Sequence, residues 1–432
     1  MVGTGASRCT WVLMTFETVR YNYRLRPSRT ARRHLREEGD RARWVWNQCV
    51  RRSSEMYEHE GVTISAGDLD GELTDWRNTD AGWSAWLAAG SSVVQQQAIR
   101  DFCAARSKAL KDFATGVARS KRRGLPRLHS RHQSQPSVNY TRRGFNLSPE
   151  GRLVVAGGVS IPVVWSRDLP EAPTSVRVYR DASGHWWASF VTRRTIEAAP
   201  PVGRAIGIDW GVETTATTTD PVFDQPHANH GARLAKKLAS AQRKMARRRR
   251  PRNQPPSKGY VAAREESARV YQQMVWRRRD DAHKWAKQVV DHHDQIAVED
   301  FHPPFLAKTT MAKKAADAAI GDTKRILVER GRRYGRQVVL VPPAYTTMDC
   351  AVCGARAKHR LPLSQRTFCC DTCGHTAGRD RNAATVMVVR AGFVPASADG
   401  VRPTTTHTTV SVGVPEAQAP GHRQPELGIP RL

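Results

Sequence analysis

Residues 19–25, VRYNYRL, alternate apolar or aromatic with polar side chains, the period of a strand with one face buried, and Arg26-Pro27 closes it. Ser28 is expected to cap a helix, and Gly39 to separate it from a second one running to about Tyr57. In that second helix Ala42, Val45, Trp46, Cys49 and Val50 fall at helical spacing, with Arg41, Arg43, Asn47, Arg51 and Arg52 on the other face. The tryptophans read as core rather than as base-stacking surfaces. A polar, glycine-containing stretch near residues 61–71 leads to more helix from Trp83 and Trp86. A longer helix follows over residues 93–118, striped by Val94, Ala98, Phe102, Ala105, Ala109 and Phe113. Residues 121–133 are a basic loop broken by Gly and Pro.

The pattern then shortens to strand period. Residues 145–147, 153–156 and 159–165 are strand candidates, and residues 175–179 and 185–193 form a hairpin around Asp181-Ala182-Ser183-Gly184. Strand material thus lies on both sides of the helices, which implies a small β-barrel or sheet interrupted by a helical insertion. After the linker at residues 198–201, AIGIDWGVETTATTTD (205–220) reads as a second hairpin with Asp209 at the tip of its first strand.

A strongly basic helix over residues 233–250 breaks at Pro251, with four consecutive arginines at 247–250. It pairs as a helical hairpin with a long helix over residues 260–290, striped by Tyr271, Met274, Val275, Arg278, Ala282, Trp285 and Val289; Arg277, Arg278 and Arg279 are expected partly turned to solvent or phosphate. A strand at 295–298 ends on Glu299-Asp300, and Phe301-His302-Pro303-Pro304 closes it. A helix over 308–331 and a buried strand at 337–341 complete a parallel crossover, hence α/β layering. Beyond Phe393 there is no Phe, Trp or Tyr, and the tail is expected to be disordered.

Charge narrows the function. The 69 Lys and Arg against 40 Asp and Glu leave +29 over 432 residues, a surface that repels itself unless a polyanion is bound. Nucleic acid is therefore the leading partner. No apolar run is long enough to span a bilayer, and the first 14 residues are poor signal-peptide material, with Met14 an alternative start. Cysteine usage suits a reducing cytoplasm with a metal site rather than a disulfide scaffold.

Cys350-x-x-Cys353 and Cys370-x-x-Cys373, sixteen residues apart, have the spacing of a tetrahedral four-cysteine zinc site. Each pair is followed by Gly, and Cys369 reads as a bystander. With every position filled by thiolate such a zinc is structural. Three acids carry the remaining chemistry. Asp209 ends a hairpin strand, Glu299 ends a parallel strand, and Asp380 opens a helix (DRNAA). If the two strands are neighbours and the helix packs across their end, the carboxylates meet and repel unless cations sit between them. Two Mg2+ (or Mn2+) roughly 4 Å apart would relieve that, activate water and stabilise the leaving oxygen of a phosphodiester. Taken singly, Asp209 is also a turn former, Glu299 a surface acid and Asp380 a helix N-cap. Asp300 competes with Glu299, since adjacent strand residues face opposite sides; Asp220 and Glu213 are weaker candidates.

The order GIDWG (207–211), AVEDF (297–301), AYTTMDCAVCG (344–354), CDTCG (370–374) and GRDRNAA (378–384) resembles the TnpB family of transposon-encoded RNA-guided nucleases and the compact type V CRISPR effectors derived from it. The resemblance implies a multidomain α/β protein. It places a disordered N-terminus at 1–15 and a wedge β-barrel in two parts, 16–27 and 136–198, around a helical recognition domain at 28–135. An RNase H-like, RuvC-like nuclease domain at 202–345 and 377–394 is then split by a zinc ribbon at 346–376, with a disordered tail at 395–432. It implies Asp209, Glu299 and Asp380 as catalytic Mg2+ ligands, Cys350, Cys353, Cys370 and Cys373 as Zn2+ ligands, and guide RNA and target double-stranded DNA as partners. Where the family often has an acid two positions before the last one, this chain has Gly378. The implied activity is RNA-guided DNA cleavage beside a short flanking motif. The alternatives are guide-directed DNA binding without efficient cleavage and a guide-independent junction or flap nuclease.

Overall fold

The computed structural model describes residues 16–130, 135–196, 198–251, 254–301, 311–359, 361–362 and 364–394. The expectations for residues 1–15, for the 395–432 tail and for His302-Pro303-Pro304 lie outside them. Phe16–Leu25 (β1) is a strand, longer than its alternation alone suggests. Ser28 Oγ accepts from Ala31 N at 3.1 Å and caps Arg29–Glu60 (α1). This helix runs unbroken through Gly39, which corrects the expected division. A Cβ at Gly39 would lie 3.2 Å from Pro136 Cβ, so the glycine lets the helix lie against the incoming chain. Arg41, expected on the outer face, is buried: it donates to Glu38 Oε1 at 2.8 Å and to Trp86 O at 2.8 Å.

Ala66–Asn78 (α2) was hidden in a stretch that reads as polar loop. Its start is a capping box, Ser65 Oγ accepting from Asp68 N while Asp68 accepts from Ser65 N. Ser84–Ala88 (α3) and Ser92–Ala114 (α4) follow, and Val45, Cys49, Leu69, Leu73, Leu87, Ile99 and Phe102 form the core of the bundle. Trp44, Trp46 and Trp76 pack against it but are only partly buried, and Phe113 at the end of the expected stripe is exposed.

Ser137–Thr141 (β2), Phe145–Leu147 (β3), Arg152–Val155 (β4), Val159–Val164 (β5), Ser175–Arg180 (β6) and Trp186–Thr195 (β7) join β1 in a seven-stranded antiparallel sheet of order β2-β6-β7-β1-β5-β4-β3. Because β1 pairs with both β7 and β5, the four helices are an excursion from one sheet. Tyr23, Tyr140, Leu153, Ile161, Val178 and Phe190 share one core, so both ends of the sheet curl around the same interior. In the β6–β7 turn the Asp181 carboxylate accepts from His185 N and Trp187 Nε1, both at 2.8 Å.

The second sheet has the order β10-β9-β8-β11-β12. Its strands are Ala205–Trp210 (β8), Thr214–Thr218 (β9), Gln225–Pro226 (β10), Gln295–Glu299 (β11) and Gln337–Val341 (β12). β11 is parallel to β8 and β12, and β9 is antiparallel. His230–Arg247 (α5) and Lys258–His292 (α6) form the helical hairpin before β11. The expected helix at 308–331 is two, Ala312–Ala318 (α7) and Ile320–Arg333 (α8), broken where Ala319 takes φ 51°. β12 is an edge strand whose Leu340 is 45% exposed, not the buried strand its apolar run suggests. Thr367–Cys369 (β13) and Thr376–Gly378 (β14) make a small hairpin before Arg379–Arg390 (α9).

Strand parity sorts the layers. Ile206, Ile208, Ile296 and Val298 pack with Ala282, Trp285, Ala286 and Val289 of α6. Ala205, Ala297 and Val341 pack with Met387 and Val388 of α9 on the other side. β8 is therefore buried on both faces, which is why it reads as a continuous apolar run broken only by its acid. No described helix is long and apolar enough to cross a membrane.

Candidate active site

Asp209 and Glu299 share an odd register with Ala205 and Ala297, so both belong to the face covered by α9. Gly207 pairs with Ala297 and Ile208 with Val298, which sets Glu299 beside Asp209 at the carboxyl ends of two parallel strands. α9 lies directly on β8: a Cβ at Gly207 would stand 1.9 Å from the Ala384 carbonyl oxygen. That contact carries Asp380, in the first turn of α9, to the same strand ends. Its helix has Gly378 at the N-cap, so Asp380 is not the cap that its sequence position suggests.

Asp209 and Glu299 are buried, and Asp380 is partly exposed. Burial first, then the neighbouring Glu299 and Asp380 carboxylates, hold the Asp209 carboxyl well above its ordinary value. Burial also pushes Glu299 up to about 7, against the Trp210 N–H and Lys324 and with help from Asp380. Among the described residues none donates a hydrogen bond to the Asp209 carboxylate. The three carboxylates do not close to within 4.8 Å of one another as the cysteine thiols do. Asp380 is instead engaged by Arg379 Nε at 3.2 Å and Arg366 Nη1 at 3.6 Å.

The rival acids have other partners. Asp300 accepts from Lys324 Nζ at 2.9 Å on α8. Asp220 caps a short 3-10 turn by accepting from Val222 N at 3.0 Å, and the exposed Glu213 pairs with Lys314.

The sulfur atoms of Cys350, Cys353, Cys370 and Cys373 all lie within 4.8 Å of one another, with Cys350–Cys373 at 3.7 Å and Cys353–Cys370 at 3.6 Å. A tetrahedron with metal–sulfur bonds of about 2.3 Å has edges of about 3.8 Å, so the cluster can hold a zinc ion. The backbone N–H of Cys373 draws the Cys370 thiol down to about 6, toward the thiolate that a zinc ligand must be. Cys369 is exposed on β13, outside the cluster.

Periodicity and spacing missed the residue that joins these two places. Asn382 of α9, 1% exposed, accepts from Ala351 N at 3.0 Å and donates to Asp349 O at 2.8 Å, clasping the first cysteine knuckle two residues past Asp380. Arg366, Arg379 and Lys324 were equally illegible, since their roles exist only once the strands and helix are assembled.

Three family models match the chain: "Helix-turn-helix domain" over residues 14–61, "Probable transposase" over 188–302 and "Cas12f1-like, TNB domain" over 321–387. A "Putative RNA-guided DNA endonuclease" of Streptomyces pristinaespiralis is 31% identical over 389 residues, 89% of this chain and 92% of that protein. The chain belongs to the TnpB family. A second relative, "Putative RNA-guided DNA endonuclease InsQ" of Escherichia coli K12, is 27% identical over 84% of this chain and 90% of its own length. Among solved structures, a Cas12f1–sgRNA–target DNA complex aligns at a TM-score of 0.48 and 12% identity, over 87% of this chain and 98% of that one. In this TnpB-family chain the transposase match spans the strands bearing Asp209 and Glu299, and the TNB match spans the four cysteines and Asp380. The region matched as helix-turn-helix is, over its described residues, the strand β1 followed by the single helix α1.

Proposed function

We propose that this chain is an RNA-guided DNA endonuclease: it holds a guide RNA, pairs it with complementary double-stranded DNA beside a short flanking motif, and hydrolyses the DNA at Asp209, Glu299 and Asp380. The reading is carried by one observation, the approach of these carboxylates from two parallel strands and a helix start, near enough for Glu299 and Asp380 to raise the Asp209 carboxyl. The names of the relatives and the charge of +29 support it. In this reading the β8–β12 sheet with α5–α9 is a RuvC-like nuclease domain of RNase H type, the β1–β7 sheet is the wedge, and α1–α4 the recognition insertion.

Oxygen-only donors, two of them buried and all mutually repelling, with no described donor on Asp209, fit a hard divalent cation. Asp209, Glu299 and Asp380 would hold two Mg2+, which supply water activation and charge stabilisation at the leaving 3′ oxygen. The protein's own share is positional. Trp210 N–H fixes Glu299 Oε2 at 3.2 Å, and α9 covers the strand ends, so the acids are aimed before DNA arrives. Cys350, Cys353, Cys370 and Cys373 would hold a structural Zn2+ that anchors α9 through Asn382.

The test is cleavage of target DNA by the purified chain with its co-purified RNA and Mg2+. Asp209→Asn is expected to lose at least about 100-fold in rate while retaining RNA. Undiminished cleavage by that variant would remove the assignment. Cleavage that survives removal of the RNA would select a guide-independent nuclease, and guide-directed binding without cleavage by the native chain would select a DNA-binding role.

A further inference from the structure

The chain passes from the first sheet to the second through residues 198–204, and six of these seven are exposed, so packing does not hold them. Hydrogen bonds do. Arg336, 8% exposed, spreads its guanidinium over three places. Its Nε donates to Val290 O near the end of α6 at 3.0 Å, and its Nη1 reaches Pro200 O at 2.9 Å and Asp294 Oδ1 at 2.5 Å. The second Asp294 oxygen accepts from the backbone N–H groups of Val202, at 2.7 Å, and Gly203. Ala199 N donates to Tyr334 O at 3.0 Å, and Asp294 N to Arg204 O at 2.9 Å. One buried arginine and one aspartate thus strap down a segment that its own side chains would leave loose at the surface.

The position of this strap gives it reach. Arg204, Asp294 and Arg336 immediately precede β8, β11 and β12. Gln295 pairs with Ala205 on one side and Gln337 on the other, so the strap lies across the amino ends of three adjacent parallel strands. Asp209 and Glu299 stand at the opposite ends of β8 and β11, about 17 Å away. On its other side only Ile196 and Glu197 separate the strap from β7, all ten of whose residues pair with β1. A hydrogen-bonded strand is stiff along its length. A tilt of the first sheet that reached Arg204 would therefore displace Asp209 against Glu299.

We propose that Arg336 and Asp294 are positioning residues that tie the orientation of the β1–β7 sheet to the cutting carboxylates. The inference rests on the reading above, in which the first sheet belongs to recognition and the second cuts. The connector is then a rigid mount rather than a hinge, and the acids stay aligned only while the strap is closed. Arginine suits the place because its planar fork serves Val290 O, Pro200 O and Asp294 together, which a single ammonium group does not.

The experiment compares the full chain, with its co-purified RNA, with its R336M and R180Q variants. Arg180 of β6 pairs with Glu265 of α6 at 2.5 Å, a second tie between the first sheet and the nuclease layer whose loss leaves the strap closed. Three quantities are read: single-turnover cleavage at saturating target DNA, affinity for that DNA, and calorimetric unfolding. R336M is expected to cut at least about 10-fold more slowly with target affinity within about threefold of wild type, since a misplacement of about 1 Å at a reacting centre costs about 100-fold. Its unfolding should separate into two transitions where wild type shows one. R336K, which keeps a cation beside Asp294 without the fork, should fall between, and R180Q should cut within about threefold of wild type. A wild-type rate and a single transition in R336M would overturn the strap. So would equal losses of rate and affinity with a single transition, or a loss in R180Q that matches R336M. Should R336M not fold, P200G/P201G carries the same test: it keeps every carbonyl but loosens the chain, and is expected to cut at least about threefold more slowly with affinity kept. A wild-type chain that does not cleave would sink the proposed function, and the splitting of the unfolding transition would then decide the strap by itself.

Discussion

Trp210 and Glu299 clasp each other twice: Trp210 N donates to Glu299 Oε2 at 3.2 Å, and Trp210 Nε1 donates to the Glu299 carbonyl oxygen at 3.1 Å. The clasp locks β8 to β11 where the acids emerge, so strand register and carboxylate orientation are set by the same residue. Trp210→Phe keeps a ring against Trp285 but removes the indole donor. It is expected to cost about 1–2 kcal/mol in denaturant unfolding and to slow DNA cleavage, with RNA retention unchanged. Full activity at reduced stability would show that the clasp serves folding only.

Gly207 is where α9 touches the sheet, and its missing Cβ is the reason α9 can reach the strand ends. Gly207→Ala forces the Ala384 carbonyl away and is expected to destabilise by about 3 kcal/mol or more. A thermal melt checks this; a stability within 1 kcal/mol of wild type, as an order-of-magnitude bound on an overpacked site, would contradict the packing described.

Asn382 ties the cysteine knuckle to α9, so removal of zinc should be felt at Asp380. Elemental analysis should find about one Zn per chain, a fourfold thiolate site holding a single ion. Chelation should lower the melting temperature and the cleavage rate together. Asn382→Ala leaves the buried Asp349 carbonyl and the partly buried Ala351 N–H unpartnered, expected to cost about 1–3 kcal/mol, and should reproduce the rate loss with zinc still bound. Activity unchanged in demonstrably zinc-free protein would separate the ribbon from the site.

Asp317 is the hub between α5, α6 and α7. Burial pushes its carboxyl up, but Gly231 N–H at 2.8 Å and Arg278 Nε at 2.9 Å outweigh that and hold it below the ordinary aspartate value. A depressed folded value means that its stabilisation is fully present above the unfolded value, near 3.9, and is lost as pH falls through the folded one. Asp317→Asn should therefore cost about 2 kcal/mol at pH 7, with the gap from wild type shrinking only below about pH 4. Urea unfolding across that range checks it; a gap constant down to pH 3 would contradict the assignment.

Local pattern was enough for the elements whose signal is carried by their own side chains. The alternation in VRYNYRL, the Asp181–Gly184 turn, the buried run before Asp209 and the two CxxC knuckles all appear where they were read. Glycine misled twice. Gly39 reads as a break although it serves a close approach to Pro136, and the glycines at 67 and 71 hide α2, whose capping box Ser65-x-x-Asp68 is the available signal.

The amino-acid sequence alone determined the polyanion-seeking charge, the four-thiol cluster and three acids at the ends of elements. Each of these is written in residue type and short spacing. Only the tertiary structure decided that Asp209 and Glu299 share one face, that Asp300 turns to Lys324, and that Asn382 links the knuckle to α9. Those outcomes depend on register, helix docking and burial between residues on different elements, 24 positions apart for Asp300 and Lys324, 31 for Ala351 and Asn382 and 89 for Trp210 and Glu299, where the energy of one contact depends on all the others being made.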